Sequence, residues 1–153
     1  MKRRLTRVAD VIEQLQRVPL FSDLNQRQLK RVSRDFRDRG FKAGTSIVRQ
    51  GEMSGVGFFI ISEGEASVIV DGREVARLGP GEHFGELALI SEATRTATVT
   101  AETPLRCLEI TFWDFRRIAK DNPDIAWKLL QYVVGLLTEE RLARAQAFLQ
   151  MSR

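Results

Sequence analysis

The sequence predicts a mainly β protein with flanking helices, namely an eight-stranded antiparallel β jelly roll with N-terminal helices and a long C-terminal helix. Residues 1–36 show helical apolar spacing, which indicates an N-terminal helical segment. Residues 37–110 alternate short runs of Val, Ile, Phe and Thr with glycine-containing turns, which is typical of an antiparallel sandwich or barrel. Residues 111–153 return to a helical pattern. At 153 residues and 43% hydrophobic content, the chain can bury one core.

The N-terminal segment predicts two helices. Four apolar residues recur at i, i+3, i+4 and i+7, on one face of a short helix: Val8, Val11, Ile12 and Leu15. Pro19 ends this helix. A second helix is expected from Asn25 to about Phe36, since the preceding Ser, Asp and Asn residues are good N-caps.

The middle of the chain predicts the strands. Turns are expected at Gly44, Gly51, Gly64, Asp71-Gly72 and Gly79-Pro80-Gly81. The Asp71-Gly72 pair lies between two strand-like runs, 68–70 and 74–76, and predicts a hairpin. Cys107, the single cysteine, lies in an apolar run from Leu105 to Ile110, so we expect a buried, unreactive thiol and a reducing, cytoplasmic location.

The C-terminal segment predicts two more helices. Thr111 and Asp114 have capping-box spacing for a helix that runs to about Lys120, and Asn122-Pro123 suits the start of the last helix. From Leu129 to Leu137, seven of nine residues are apolar. This is more than one buried stripe needs, so we expect the barrel to cover one side and a second copy of the helix to cover another. The alternative is that the N-terminal helices of the same chain cover it.

One motif has the spacing of an anion site. Gly85 is followed by Glu86-Leu87-Ala88-Leu89, which can turn sharply into a short helix. The amides of Leu87 and Ala88 are then expected to be unpaired at its start and directed at an anion. Arg95 follows one short loop later, and its guanidinium can donate to two phosphate oxygens.

Glu86 beside a phosphate requires an explanation, because a carboxylate repels an anion. The repulsion is acceptable if Glu86 accepts a hydrogen bond from a hydroxyl next to the phosphate and is balanced by Arg95. A ribose 2′-hydroxyl has this geometry. By contrast, His83 is expected to be a turn or surface residue, since its neighbours are Gly81 and Glu82.

With these residues the chain resembles the cyclic nucleotide-binding domain family, and residues 84–99 match that family's phosphate-binding cassette. The likeness extends over roughly residues 18 to 150, through Pro19-Leu20-Phe21, Gly44, Gly51-Glu52, Phe58-Phe59-Ile60-Ile61, Gly64, Gly79-Pro80-Gly81 and Asn122-Pro123-Asp124-Ile125. It implies that Glu86 binds the ribose 2′-hydroxyl and that Arg95 binds the cyclic phosphate, together with the amides of Leu87, Ala88 and Thr96. The ligand-binding set it implies is Phe84, Gly85, Glu86, Leu87, Ala88, Arg95, Thr96 and Ala97.

The resemblance also implies a function. The expected ligand is cyclic AMP, favoured over cyclic GMP, and cyclic GMP stays open because Thr96 is compatible with either base. Binding is expected to shift the last helix, and alignment places Glu140 and Arg141 where activator-type members contact the base. We expect a non-enzymatic sensor that needs neither cofactor nor metal. Its partner would be a second copy, bound through the C-terminal helix, or a separate effector protein.

Other functions fit the sequence less well. A cupin-type metal site needs several His and carboxylate ligands, and His83 is the only histidine. Residues 1–50 contain 13 Lys or Arg and 5 Asp or Glu, but no interleaved aromatics or reading helix, so a solvated face is expected rather than DNA binding. The chain ends at Arg153 without a helix-turn-helix after the last helix, and it lacks an apolar run long enough for a membrane span. The main alternative is a degenerate jelly-roll interaction module that no longer binds nucleotide.

Overall fold

The N-terminal helices form where the apolar spacing predicts them. The computed structural model describes residues 8–52, 57–89 and 94–151, except for the side chains of Val8 and Leu87. The basic residues 1–7 of the predicted N-terminal segment, and residues 152–153 of the C-terminal one, lie outside this range. The elements are α1 (Val8–Gln16), a 3₁₀ helix (Pro19–Phe21) and α2 (Gln26–Ser33).

Helix α2 begins at the predicted cap but ends before Phe36. The Asn25 side chain accepts from the Gln28 amide and the Gln28 side chain accepts from the Asn25 amide, each at 2.9 Å, which completes a capping box. The prediction that α2 runs to about Phe36 was wrong, since the helix ends at Ser33. The Phe36 ring instead packs edge-on against Phe58, with centroids 6.1 Å apart. The chain therefore leaves the helix before Phe36 and enters the first strand.

In the described part of the chain, eight strands form two four-stranded antiparallel sheets, which confirms the jelly-roll prediction. They are β1 (Arg37–Phe41), β2 (Ser46–Val48), β3 (Gly57–Glu63), β4 (Ala66–Val70), β5 (Arg73–Leu78), β6 (His83–Phe84), β7 (Thr98–Ala101) and β8 (Leu105–Thr111). The first sheet has the order β1-β8-β3-β6 and the second β2-β7-β4-β5. The predicted hairpin is β4–β5, and Asp71 and Gly72 adopt φ values of 51° and 78°, as a two-residue turn of this type requires.

Strand β3 of the first sheet is buried on both faces. Along β3, Phe58 and Ile60 pack in a cluster with the helices, while Phe59 and Ile61 pack in a cluster with the second sheet. Cys107 in β8 belongs to the second cluster and is fully buried, and burial raises the pKa of its thiol to about 12. The expected buried, unreactive thiol is thus confirmed.

The C-terminal helices are α3 (Phe112–Asp121) and α4 (Pro123–Met151). The Thr111 side chain accepts from the Asp114 amide at 3.1 Å and caps α3, as predicted. The Asn122 side chain does not cap the start of α4. It donates instead to Ile118 O, at 2.9 Å, at the end of α3.

One side of α4 packs on the body of the domain. Ile125 and Leu129 are buried, and Tyr132 and Val133 are half-buried against the same helix-side cluster. From Val134 onward every described residue of α4 is exposed. No helix in the described part of the chain is both long enough and apolar enough to cross a bilayer.

Candidate functional site

The predicted cassette residues surround a pocket of about 280 Å³. It is lined by Val48, Val68, Leu78, His83, Phe84, Gly85, Glu86, Arg95, Thr96, Ala97 and Val99. Six of the eight predicted ligand-binding residues are among these. Ala88 is not, while the side chain of Leu87 and residues 90–93 of the cassette lie outside the described part of the chain. A pocket of this size is at the lower end of the range for small-molecule sites.

Gly85 lets the cassette approach the neighbouring strand closely. Its φ is +84°, a conformation that favours glycine, and a Cβ there would lie 2.7 Å from Gly57 O and 2.8 Å from Arg95 Nη1. Any larger residue would therefore collide with β3 backbone and with the guanidinium. The glycine is required by the site itself as well as by the turn.

Arg95 is held by its backbone and by its guanidinium. The Arg95 amide donates to Glu52 O at 2.8 Å, and Arg95 O accepts from the Gly51 amide at 2.9 Å. The side chain is buried and donates through Nη2 to Gly57 O at 3.0 Å. These contacts direct the guanidinium into the pocket with little freedom to leave it.

The charge of Arg95 has no carboxylate partner in the described ranges 8–52, 57–89 and 94–151. Burial lowers the pKa of Arg95 from its ordinary value, but an arginine side chain stays protonated in proteins. A buried cation next to only a carbonyl is costly unless an anion joins it. The pocket therefore favours an anionic ligand.

Glu86 has a different partner from the expected one. The sequence predicted that the charge of Arg95 balances the Glu86 carboxylate, and this was wrong. Glu86 Oε2 lies 3.5 Å from His83 Nδ1, while the Arg95 guanidinium donates to Gly57 O. The nearby His83 side chain lowers the pKa of Glu86 and outweighs the opposing effect of burial. Glu86 is therefore a carboxylate at neutral pH and can accept a hydrogen bond from a ligand hydroxyl.

The short helix after Gly85 also differs from the expectation. It forms as a single 3₁₀ turn over Glu86–Leu89, and the Ala88 amide donates to Gly85 O at 3.0 Å. The prediction of an unpaired Ala88 amide was wrong, because a 3₁₀ turn closes hydrogen bonds over three residues. The Ala88 side chain is buried.

The remaining cassette residues form the back and the rim of the pocket. The Phe84 ring is buried and stacks on Phe59, with centroids 4.9 Å apart and the planes inclined by 14°. Thr96 is exposed and Ala97 is half-buried, both along the pocket wall. Thr96 can therefore meet a ligand without rearrangement of the core.

The two predicted base-contacting residues lie outside this pocket lining. Glu140 and Arg141 are exposed on α4, and Glu140 Oε1 accepts from Arg144 Nη2 at 2.5 Å. Their contact with a base stays a prediction. Within the described ranges, three or more His, Cys, Asp or Glu side chains do not gather into a metal-binding group.

Two residues of the site were missed from the sequence. His83 was expected at a turn or the surface, but it lies in β6, half-buried, beside Glu86. Its position three residues before Glu86 was the available signal. Gly57, whose carbonyl accepts from Arg95, is distant in sequence, and only the pairing of β3 brings it to the cassette.

Comparisons with known proteins identify relatives of this domain. The family model described as cyclic nucleotide-binding domain matches residues 38–122. The chain is 36% identical over 112 residues to a cAMP-dependent protein kinase regulatory subunit of Schizosaccharomyces pombe, which covers 72% of this chain and 27% of that protein. It is 40% identical over 109 residues to a cyclic nucleotide-gated potassium channel of Mesorhizobium japonicum, which covers 71% of this chain and 30% of that protein.

A solved structure is similar over most of both chains. It is the N-terminal domain of a transcriptional regulator from Streptomyces coelicolor A3(2), with a TM-score of 0.73, 30% identity, and coverage of 83% of this chain and 94% of that one. The present chain spans less than a third of the two curated relatives, so the likeness concerns one domain of each. On the match to residues 38–122 and the shared jelly-roll fold, the chain belongs to the cyclic nucleotide-binding domain family.

Proposed function

We propose that this chain is a non-catalytic cyclic nucleotide sensor that prefers cyclic AMP to cyclic GMP and conveys binding to α4. The main support is Arg95, a buried cation that faces the pocket without a carboxylate partner among the described residues. A 3′,5′-cyclic phosphate has one negative charge and leaves the ribose 2′-hydroxyl beside it. Arg95 can neutralise the phosphate while Glu86 accepts from the hydroxyl.

Calorimetric titration tests this proposal. Cyclic AMP, cyclic GMP and 5′-AMP are titrated separately into nucleotide-stripped protein. We expect cyclic AMP to bind most tightly and 5′-AMP least, because its open phosphate brings extra negative charge near Glu86. If none of the three binds, the chain is better described as a jelly-roll interaction module that has lost nucleotide binding.

The route to α4 that we propose begins at Leu89. Leu89 is the last residue of the cassette 3₁₀ turn, is buried, and shares the helix-side cluster with Phe115 of α3 and Leu129 of α4. Beside it lies an apolar cavity of about 530 Å³. Leu89, Phe112, Phe115, Arg116, Ala119, Ala126, Leu129, Leu130 and Val133 line that cavity. Space next to Leu89 lets a movement of the cassette change the packing of α3 and α4.

Nucleotide binding is therefore expected to change amide hydrogen exchange between Asn122 and Leu149. A ligand moves a helix only by its different affinity for the two helix positions, so protection there must change on saturation. Arg95→Ala, measured under the same conditions, is the control, because its binding of nucleotide is expected to be weakened. Identical exchange in the wild type with and without nucleotide would contradict the coupling.

We also propose that the outer face of α4 pairs with a second copy of this chain. Four large apolar residues, each more than half exposed, repeat at i, i+3, i+7 and i+10: Trp127, Leu130, Val134 and Leu137. This is coiled-coil spacing on the side away from Ile125 and Leu129. Residues 134–151 are also exposed throughout, and an isolated helix of this length is only marginally stable in water.

Sedimentation tests the dimer. We expect the wild type to sediment as a dimer and the double variant V134E/L137E as a monomer, since two carboxylates would face each other across the seam. Q146E adds the same charge type on another face of α4 and should stay dimeric. A wild-type monomer at high concentration, with and without cyclic AMP, would refute pairing and favour a separate effector protein.

We also propose a cytoplasmic location, and the buried thiol of Cys107 is consistent with it.

A further inference from the structure

We propose that His83 is a positioning residue for ribose recognition, which holds the Glu86 carboxylate in the orientation that accepts from the 2′-hydroxyl. This inference rests on the proposed function, because it concerns the same pocket and the same ligand. It assigns a role to a residue that neither the cassette motif nor the base-contact prediction includes.

The first observation is the contact itself. His83 Nδ1 lies 3.5 Å from Glu86 Oε2, which is longer than a hydrogen bond. Nδ1 is buried from solvent and makes no hydrogen bond in the described ranges. A buried polar nitrogen is costly if unpaired, so Glu86 is the partner that the fold offers to it. A small movement of Glu86 toward Nδ1 would form this hydrogen bond.

The second observation is that the imidazole is fixed. His83 lies in β6 and is opposite Ile60 in the β3–β6 pairing. Its ring is 5.6 Å from the Phe58 ring, centroid to centroid, and only 24% of the side chain is exposed. Because the His83 ring packs against a buried phenylalanine, we expect the Glu86 carboxylate, rather than the ring, to move when the two groups come together.

The third observation concerns the other charges nearby. The Glu82 carboxylate accepts from the Gly79 amide at 3.0 Å, and the Arg95 guanidinium donates to Gly57 O. The Glu86 carboxylate is influenced by its own backbone amide and by His83, and His83 is the side chain that lies beside it. A carboxylate has two oxygens, so with Oε2 beside His83 the other oxygen can face a ligand hydroxyl. A neutral imidazole with its proton on Nδ1 is sufficient for this role.

A comparison of two ligands across three proteins tests the inference. Cyclic AMP and 2′-deoxy cyclic AMP are titrated into the wild type, H83F and H83N. Phenylalanine keeps an aromatic ring beside Phe58 and removes the donor, whereas asparagine places an amide nitrogen near the position of Nδ1. H83A provides the same comparison if phenylalanine disturbs the fold.

We expect the wild type to prefer cyclic AMP to the deoxy ligand by roughly tenfold or more, the usual effect of a hydrogen bond to a charged group. In H83F this preference should fall to about threefold or less, while the affinity for the deoxy ligand stays nearly unchanged. H83N should restore most of the preference for cyclic AMP. A purely structural role would weaken both ligands equally.

Each other outcome is informative. An unchanged preference in H83F, or an equal loss for both ligands, would overturn the role of His83 and leave the sensor proposal standing. Absence of any cyclic nucleotide binding by the wild type would overturn the sensor proposal and this inference together.

Discussion

Replacing Arg95 with alanine is expected to weaken cyclic AMP binding at least tenfold and to leave the protein folded. Arg95 is the only Arg or Lys among the described residues that line the pocket, and a charge-assisted hydrogen bond is worth about 1.5 to 3 kcal/mol. The fold should tolerate the change, because removing an unpaired buried charge also removes its desolvation cost. Calorimetric titration with cyclic AMP and a thermal melt measure the two effects.

Arg73→Ala is the matched control for this change. Arg73 is an exposed arginine at the start of β5 and is absent from the pocket lining, so its loss changes the net charge equally and should leave affinity unchanged. Equal affinities for Arg95→Ala and the wild type would disprove the assignment of the cassette.

Replacing Gly85 with alanine is expected to damage both the fold and the site. A positive φ costs about 1 to 2 kcal/mol for a residue with a Cβ, and here the Cβ would also press on Gly57 O and Arg95 Nη1, adding roughly 1 to 3 kcal/mol of overpacking. Because relief requires Arg95 to move, cyclic AMP affinity should fall at least tenfold. Chemical denaturation gives the free energy of unfolding, and titration gives the affinity.

Gly72→Ala separates backbone strain from collision. Gly72 has a φ of +78°, close to that of Gly85, but a Cβ there would meet nothing within 4 Å. It should lose only the strain energy and bind cyclic AMP as the wild type does. If Gly85→Ala matched Gly72→Ala in stability and affinity, the close approach of Gly85 to Arg95 would contribute nothing to cyclic AMP binding.

The sequence by itself determined the features that depend on residues close together in the chain. The cap at the start of α2, the Asp71-Gly72 hairpin and the Thr111 cap each join groups within a few residues, so local pattern suffices to predict them. The cassette motif also located Glu86 and Arg95, and both line one pocket.

Only the tertiary structure decided how those residues are paired. Arg95 turns to Gly57 O rather than to Glu86, because β3 places that carbonyl beside Gly85, where no side chain intervenes. Glu86 consequently meets His83, which the β3–β6 pairing buries against Phe58. These contacts depend on strand register and on the absence of a Cβ, and both are set by packing between segments far apart in the chain rather than by local propensity.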